Sequence, residues 1–145
     1  FCTSGTEDLL RILLLDAAHL QEEEAERANR YGYSKHKPAL PLYTTADANA
    51  TLALTASRRY GEPFEVSTGA TAVFHRAGHI LGSAIVDLQL GGREEVRLVF
   101  SGDLGRWNRP ILRDPELVRE ADVLLIESTY GDRTHSPDPA NALAS

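Results

Sequence analysis

Two glycine-flanked turns decide the fold of this 145-residue chain: AGHILGS, from Ala77 to Ser83, and FSGDLG, from Phe100 to Gly105. Each turn adjoins an apolar, strand-like run and carries one residue that can bind a metal ion, His79 in the first and Asp103 in the second. Glycines beside such a residue let the backbone pass close to a bound ion or substrate. A His that caps a strand, or an Asp that bonds turn amides, is more common than a metal ligand, so the residue types alone favour a structural role and leave the metal role open.

The sequence before these turns predicts two helices. The first runs from about Thr6 to Asn29, with Ser4 and Glu7 at capping-box spacing and an apolar stripe of leucines. The second runs from Thr45 or Ala46 to about Tyr60, where a glycine and a proline follow.

The sequence after Pro63 predicts mainly strands. Three of them are expected at Thr71 to His75, Ser83 to Leu90 and Val96 to Ser101. A short helix at Pro115 to Glu120 then precedes Asp122 to Glu127, whose continuous apolar core predicts a strand buried on both faces. This order of elements indicates a mixed α/β layered fold.

Glu127, at the end of that last strand, is the third candidate site residue. A carboxylate beside an apolar strand is costly unless it is paired, which favours a site, although bonding to neighbouring loop amides explains it equally. Of the other histidines, His135 follows in a polar segment, His75 and His19 are interpreted as structural, and His36 as a surface loop residue.

Composition excludes several classes of protein. The longest apolar runs are too short to cross a membrane, and the net charge of −6 argues against a broad basic nucleic-acid surface. A local basic patch remains open, because Arg106, Arg109, Arg113 and Arg133 lie just beyond the candidate turns. The single Cys2 cannot form an internal disulfide, which favours a reducing compartment and hence the cytoplasm.

Four stretches taken together resemble the β-CASP branch of the metallo-β-lactamase superfamily, whose nucleases process nucleic acids and include ribonuclease J. In chain order they are DAAHLQEEE (16–24), AGHILGS (77–83), SGDLG (101–105) and ESTYGD (127–132). The run RPILRDP (109–115) also resembles the bacterial members. Each string is weak alone, but their shared order over most of the chain is specific.

The resemblance implies roles for the three candidates. His79 matches a histidine that binds one of two zinc ions, and Asp103 matches the aspartate that bridges both. Glu127 matches the glutamate that orients a histidine of the β-CASP domain, the general acid for the leaving group. The implied reaction is attack of a zinc-activated hydroxide on a phosphodiester of RNA, or alternatively of single-stranded DNA. The implied fold is part of an αββα sandwich.

The family's other motifs are expected outside this sequence. The His-x-His-x-Asp-His motif belongs before residue 1, and the β-CASP domain belongs after about residue 145. Residues 1–135 are therefore expected to be a partial domain, and residues 136–145 a linker or frayed terminus. Alone, the chain is expected to have little nuclease activity, to bind zinc weakly, and to homo-oligomerise through exposed strand edges.

Two other functions stay open from the sequence. One is a hydrolase of the same superfamily that acts on thioesters, lactams or other small substrates. The stretches QEEE (21–24) and ESTYG (127–131) disfavour it, because they resemble the nuclease branch. The other is a truncated module with a structural or binding role and no catalysis.

Overall fold

A computed structural model describes residues 1–132, which form two helices and two β-sheets. The first part of the chain comprises β1 (Cys2–Thr3), α1 (Ser4–Tyr31), α2 (Thr45–Leu52) and β2 (Ser57–Arg58). The two short strands pair in parallel, and α2 packs against α1. Neither helix is long and apolar enough to span a membrane.

The second part of the chain forms one mixed sheet of five strands. They are β3 (Phe64–Ser67), β4 (Ala70–Arg76), β5 (Ala84–Leu90), β6 (Val96–Phe100) and β7 (Val123–Leu125), and their order in the sheet is the order along the chain. Neighbours are antiparallel from β3 to β6, and β7 is parallel to β6. A parallel pair needs a crossover connection, so the segment between β6 and β7 must return along the sheet.

One face of this sheet is covered by that crossover. Ala77, Ile85 and Val99 form its buried core, and Leu104 and Val118 from the crossover pack against them. On the opposite face Ala72 and Phe74 of β4 are buried, but the apolar side chains on the strands towards β7 are half-buried or exposed among the described residues. They are Val86, Leu88, Leu98, Phe100, Val123 and Leu125. The α/β class is confirmed, and an open apolar face is compatible with a segment of an αββα sandwich.

Both helices differ from their predicted bounds, and α1 begins two residues earlier and ends two residues later than expected. The N-cap of α1 is Thr3 rather than Ser4, because the Thr3 hydroxyl accepts a hydrogen bond from the amide of Thr6. The second helix ends at Leu52 rather than near Tyr60. The chain leaves the helix there because Ala56 accepts a hydrogen bond from Cys2, and the next residues pair with β1.

Three of the predicted strands are confirmed to within a residue at each end, but two predictions near the end of the chain were wrong. No helix forms at 115–120, because the amide of Glu116 donates to the carbonyl of Arg76 on the sheet and the segment stays extended. β7 is exposed rather than buried on both faces, since it is the edge strand of the described sheet. The predicted linker at 136–145 lies outside the described residues.

Candidate functional site

The two glycine-flanked turns lie side by side at one edge of the sheet. β4 and β6 are both antiparallel to β5, so they run in the same direction and their last residues reach the same edge. His79 follows β4 and Asp103 follows β6, and the imidazole Nε2 lies 4.0 Å from the carboxylate Oδ2. Both side chains are solvent-accessible, with 45% and 71% exposed. The structure therefore brings together the two residues that the sequence proposed as metal ligands.

Backbone contacts fix the distance between these turns. The amide of Gly105 donates to the carbonyl of Ala77 at 2.7 Å, and a Cβ at Gly105 would overlap the carbonyl of Gly78. Gly78 itself has φ +68°, and a Cβ there would lie 2.9 Å from the carbonyl oxygen of Arg113. Only residues without a side chain allow the two backbones to approach this closely.

Gly105→Ala is therefore expected to lower the free energy of unfolding of the chain by about 3 kcal/mol or more, at or beyond the upper end of overpacking costs. The clash is with backbone, so no side chain can rotate to relieve it. Urea unfolding followed by circular dichroism measures the change.

Gly92→Ala is the matched control, since the new Cβ would lie 3.6 Å from the carbonyl oxygen of Glu94 in ordinary contact. We expect this variant to unfold like the wild type or at slightly higher urea. Equal midpoints for the two variants would contradict the close approach at Gly105.

Glu127 lies at the same edge, just beyond β7. Its carboxylate accepts a hydrogen bond from the amide of Leu104, next to Asp103, and its own amide donates to the Ser101 hydroxyl at 3.1 Å. The Leu104 amide is the main cause that lowers the pKa of Glu127, followed by the hydroxyl of Thr129. The carboxylate therefore stays ionised and holds the Asp103 turn, which is the loop-amide bonding that the sequence left open.

The chemistry of this edge fits part of a metal site. An imidazole and a carboxylate are ligands that zinc accepts, and they face a cavity of about 290 Å³ whose wall is formed by leucines of α1. Within residues 1–132, however, no group of three or more His, Cys, Asp or Glu side chains is placed to hold a metal ion. The described residues thus fit two ligands of a zinc site and leave the remaining ligands to other residues.

A buried ion-pair network, which the sequence did not predict, lies on the sheet face beneath the crossover. Asp87 is only 3% exposed and accepts two hydrogen bonds from Arg97, at 3.0 and 2.7 Å. His75 Nε2 lies 3.2 Å from Asp87, and its Nδ1 lies 3.5 Å from Glu116 of the crossover. Arg76 also pairs with Glu116. His75 thus belongs to this network and not to the His79 site, in line with its structural interpretation.

Charge–charge contacts set the pKa values in this network. The hydrogen bonds from Arg97 lower the pKa of Asp87 in spite of burial, which acts in the opposite direction. Burial is the largest influence on Glu116 and would raise its pKa, but the bonds from Arg76 outweigh it and the pKa is lowered. The sequence contained one signal of this network, because the alternation along β5 places Asp87 on the same face of the sheet as the buried Ile85.

The crossover presents basic and aromatic side chains near the site. Arg106 and Arg113 are exposed, Arg109 is half-buried, and the Trp107 side chain is 54% exposed. Arg133 and His135, which the sequence also singled out, lie outside the described residues.

Comparison with known proteins identifies the family, although no protein-family model matches the chain. Ribonuclease TTHA0252 of Thermus thermophilus is 35% identical over 137 residues, which is 94% of this chain. Endoribonuclease YSH1 of Yarrowia lipolytica is 35% identical over 66% of the chain, and transcription termination factor FttA of Methanocaldococcus jannaschii is 30% identical over 90%. The chain belongs to the β-CASP branch of the metallo-β-lactamase superfamily. The resemblance drawn from its four stretches is thereby confirmed.

The chain spans only part of these β-CASP relatives. It covers 27% of the length of the Thermus ribonuclease, 19% of FttA and 11% of YSH1. A site completed by residues outside the described segment is consistent with this coverage.

Proposed function

We propose that this chain is part of the catalytic domain of a β-CASP nuclease that hydrolyses phosphodiester bonds of RNA with two zinc ions. One observation carries the proposal: His79 and Asp103, on separate turns, face each other at one sheet edge in a chain whose relatives include a ribonuclease and an endoribonuclease. In this proposal residues 1–135 are the partial domain, and the remaining ligands come from other parts of the complete protein.

His79 and Asp103 would hold the metal through an imidazole nitrogen and carboxylate oxygens. Zinc bound there would activate a water molecule and neutralise charge on the phosphate during in-line displacement. Glu127 keeps the Asp103 turn in place through the Leu104 amide, and the family resemblance assigns it a further contact with a histidine of the β-CASP domain.

The crossover supports RNA as the substrate. Exposed arginines bind phosphates, and an exposed tryptophan offers a surface on which a base can stack. Arg106 and Trp107 supply these groups directly after the Asp103 turn, and the backbone of Arg113 lies against Gly78 of the His79 turn. They form a local patch in a chain whose net charge is −6, so the contact with RNA is expected to be confined to this edge.

Cleavage of end-labelled RNA by the complete protein tests this function. We expect chelator-sensitive cleavage that zinc restores, and slower or no cleavage of single-stranded DNA of the same sequence. A thioester and a β-lactam serve as comparison substrates. Efficient hydrolysis of either one without RNA cleavage would contradict the proposal in favour of a small-substrate hydrolase. No hydrolysis of any of them would favour a non-catalytic module.

The 145-residue chain alone is expected to retain less than one equivalent of zinc after dialysis. Two ligands cannot close a tetrahedral shell, so the metal dissociates readily. Metal analysis of the dialysed chain measures the content, and retention of two equivalents would contradict the ligand count.

The proposal extends to compartment and assembly. We propose a cytoplasmic location, and the single cysteine of the sequence, Cys2, supports it because no internal disulfide can form. The exposed edge strand β7 and the open apolar face favour association of the isolated chain with itself. Sedimentation distinguishes this from a monomer.

A further inference from the structure

We propose that Thr3 and Thr6 are positioning residues for His79, and that they act through the carbonyl oxygen of Gly82. The inference rests on the proposed function in one respect, since it takes His79 to be a metal ligand. It concerns residues at the start of α1 that are remote in sequence from the His79 turn and that the family motifs quoted above do not include.

Two hydroxyl groups converge on one carbonyl. Thr3 Oγ1 donates to Gly82 O at 2.7 Å, and Thr6 Oγ1 donates to the same oxygen at 3.0 Å. Thr3 is 2% exposed, so its hydroxyl is shielded from water that would compete for this bond. The two hydroxyl oxygens also lie 3.0 Å apart, so Thr3, Thr6 and the Gly82 carbonyl form one hydrogen-bonded cluster in which each hydroxyl donates its single hydrogen.

The helix and the turn meet at backbone distance. Gly82 has φ +84°, and a Cβ there would overlap the amide of Thr6 and lie 2.7 Å from the carbonyl carbon of Gly5. A Cβ added at Gly5 would in turn lie 3.0 Å from the Cα of Gly82. The backbones of α1 and of the Gly82 turn cannot move far relative to each other, because no flexible side chain lies between them. A shift of α1 would therefore move Gly82.

Ser83 transmits the position of Gly82 to His79. The Ser83 hydroxyl accepts hydrogen bonds from the amides of His79, at 3.1 Å, and Ile80, at 3.2 Å. Its carbonyl accepts from the Tyr60 hydroxyl at 2.9 Å. Because Ser83 is covalently joined to Gly82, the threonines fix one end of the segment whose other end orients the imidazole.

Thr6→Val in the complete protein is the decisive variant. Valine keeps the shape of threonine but removes the hydroxyl, and the amide of residue 6 can still bond the Thr3 cap. Thr3 is less suitable, because its hydroxyl also caps α1. Thr6→Ser restores the hydroxyl, and Thr51→Val removes an equivalent hydroxyl on α2 that bonds the Asp47 carbonyl away from the site.

Two measurements test whether Thr6→Val disturbs the His79 turn. Zinc affinity, measured by competition with a chromogenic chelator, is expected to fall about 10-fold in Thr6→Val, at the lower end of the loss for groups that orient a ligand. Amide hydrogen exchange of a peptide covering 77–84 is expected to quicken in the same variant without metal. Thr6→Ser and Thr51→Val should match the wild type in both measurements.

The outcomes separate this inference from the proposed function. Unchanged zinc affinity and exchange in Thr6→Val, with zinc affinity lost in His79→Ala, would overturn the positioning role alone. Equal losses in Thr6→Val and Thr6→Ser, or in Thr51→Val, would also overturn it, because they would indicate general destabilisation. Unchanged zinc affinity in His79→Ala would instead contradict the proposed function, while faster exchange in Thr6→Val alone would still support the link to the turn.

Discussion

Replacement of Asp103 by Asn in the complete protein is expected to lower kcat for RNA cleavage by about 10²–10³-fold. In the proposed site the substitution would remove a charged ligand from metal ions whose stabilisation of developing charge is worth several kcal/mol, and each 1.4 kcal/mol corresponds to a tenfold change in rate. Because the Asp103 side chain is 71% exposed, the fold should be unaffected. Single-turnover cleavage and zinc content measure the two effects separately.

Glu94→Gln is the matched control for this loss, since it changes an exposed carboxylate to an amide in the turn between β5 and β6. We expect wild-type cleavage from it. His79→Gln should resemble Asp103→Asn, and the double variant should lose little more, because in the proposed site the two residues act on the same ions. A wild-type kcat for Asp103→Asn would exclude this aspartate from the catalytic site.

The second large effect concerns the buried pair of Asp87 and Arg97. Breaking a buried pair costs about 3–5 kcal/mol of unfolding free energy, because the remaining charge loses its partner. Arg97→Leu should lie at the lower end of this range, since it leaves Asp87 at 3% exposure with the His75 imidazole 3.2 Å away, and Asp87→Asn should cost less, since it leaves Arg97, which is 31% exposed and can be hydrated. Urea unfolding of the chain at neutral pH measures both.

The double variant Asp87→Leu with Arg97→Leu should be more stable than Arg97→Leu alone, since it removes both charges together. Arg93→Leu, in an exposed turn, is the control and should unfold like the wild type. If Asp87→Asn were more damaging than Arg97→Leu, the burial argument would be wrong.

Acid should remove the stability that the ion pair of Asp87 and Arg97 contributes to the fold. The pKa of Asp87 is lowered in the folded chain, so its ionised form stabilises the fold above the unfolded value of about 3.9. That stability is lost as the pH falls through the folded pKa. The difference between wild type and Asp87→Asn should therefore be largest at neutral pH and shrink in strong acid. A difference that does not change with pH would contradict the assignment to the ionised carboxylate.

Local patterns predicted the parts of this fold that depend on neighbouring residues. The alternation along β5 and the apolar runs of β4 and β6 located these strands, and the glycines around His79 and Asp103 located the turns. The meeting of His79 and Asp103 also followed from strand ends and the family strings. Local patterns were sufficient to locate the strands and turns, because alternation and glycine positions are set by adjacent residues, whereas the nearness of His79 and Asp103 was expected from the family resemblance.

The features of the fold that were not predicted depend on contacts between residues that are far apart in the chain. Pairing of Ser57 with Cys2 ends the second helix early, and no local signal reports it. The bond from Glu116 to Arg76 keeps a helix-like segment extended. The apolar run of β7 resembled a buried strand, yet its position at the sheet edge is set by the described assembly of strands and not by its composition.

Because β6 and β7 pair in parallel, the positions of Asp103 and Glu127 do not depend on the length of the chain that connects the two strands. Asp103 and Glu127 each follow one of two adjacent strands, so the sheet keeps them neighbours together with the hydrogen bond from the Leu104 amide to Glu127, and neither depends on residues 106–112. Residues 106–112 can therefore lengthen, shorten or be exchanged between proteins during evolution without displacing either carboxylate. In the proposed function, we expect chimaeras in this segment to change the preference among nucleic acids while Asp103 and Glu127 keep their places.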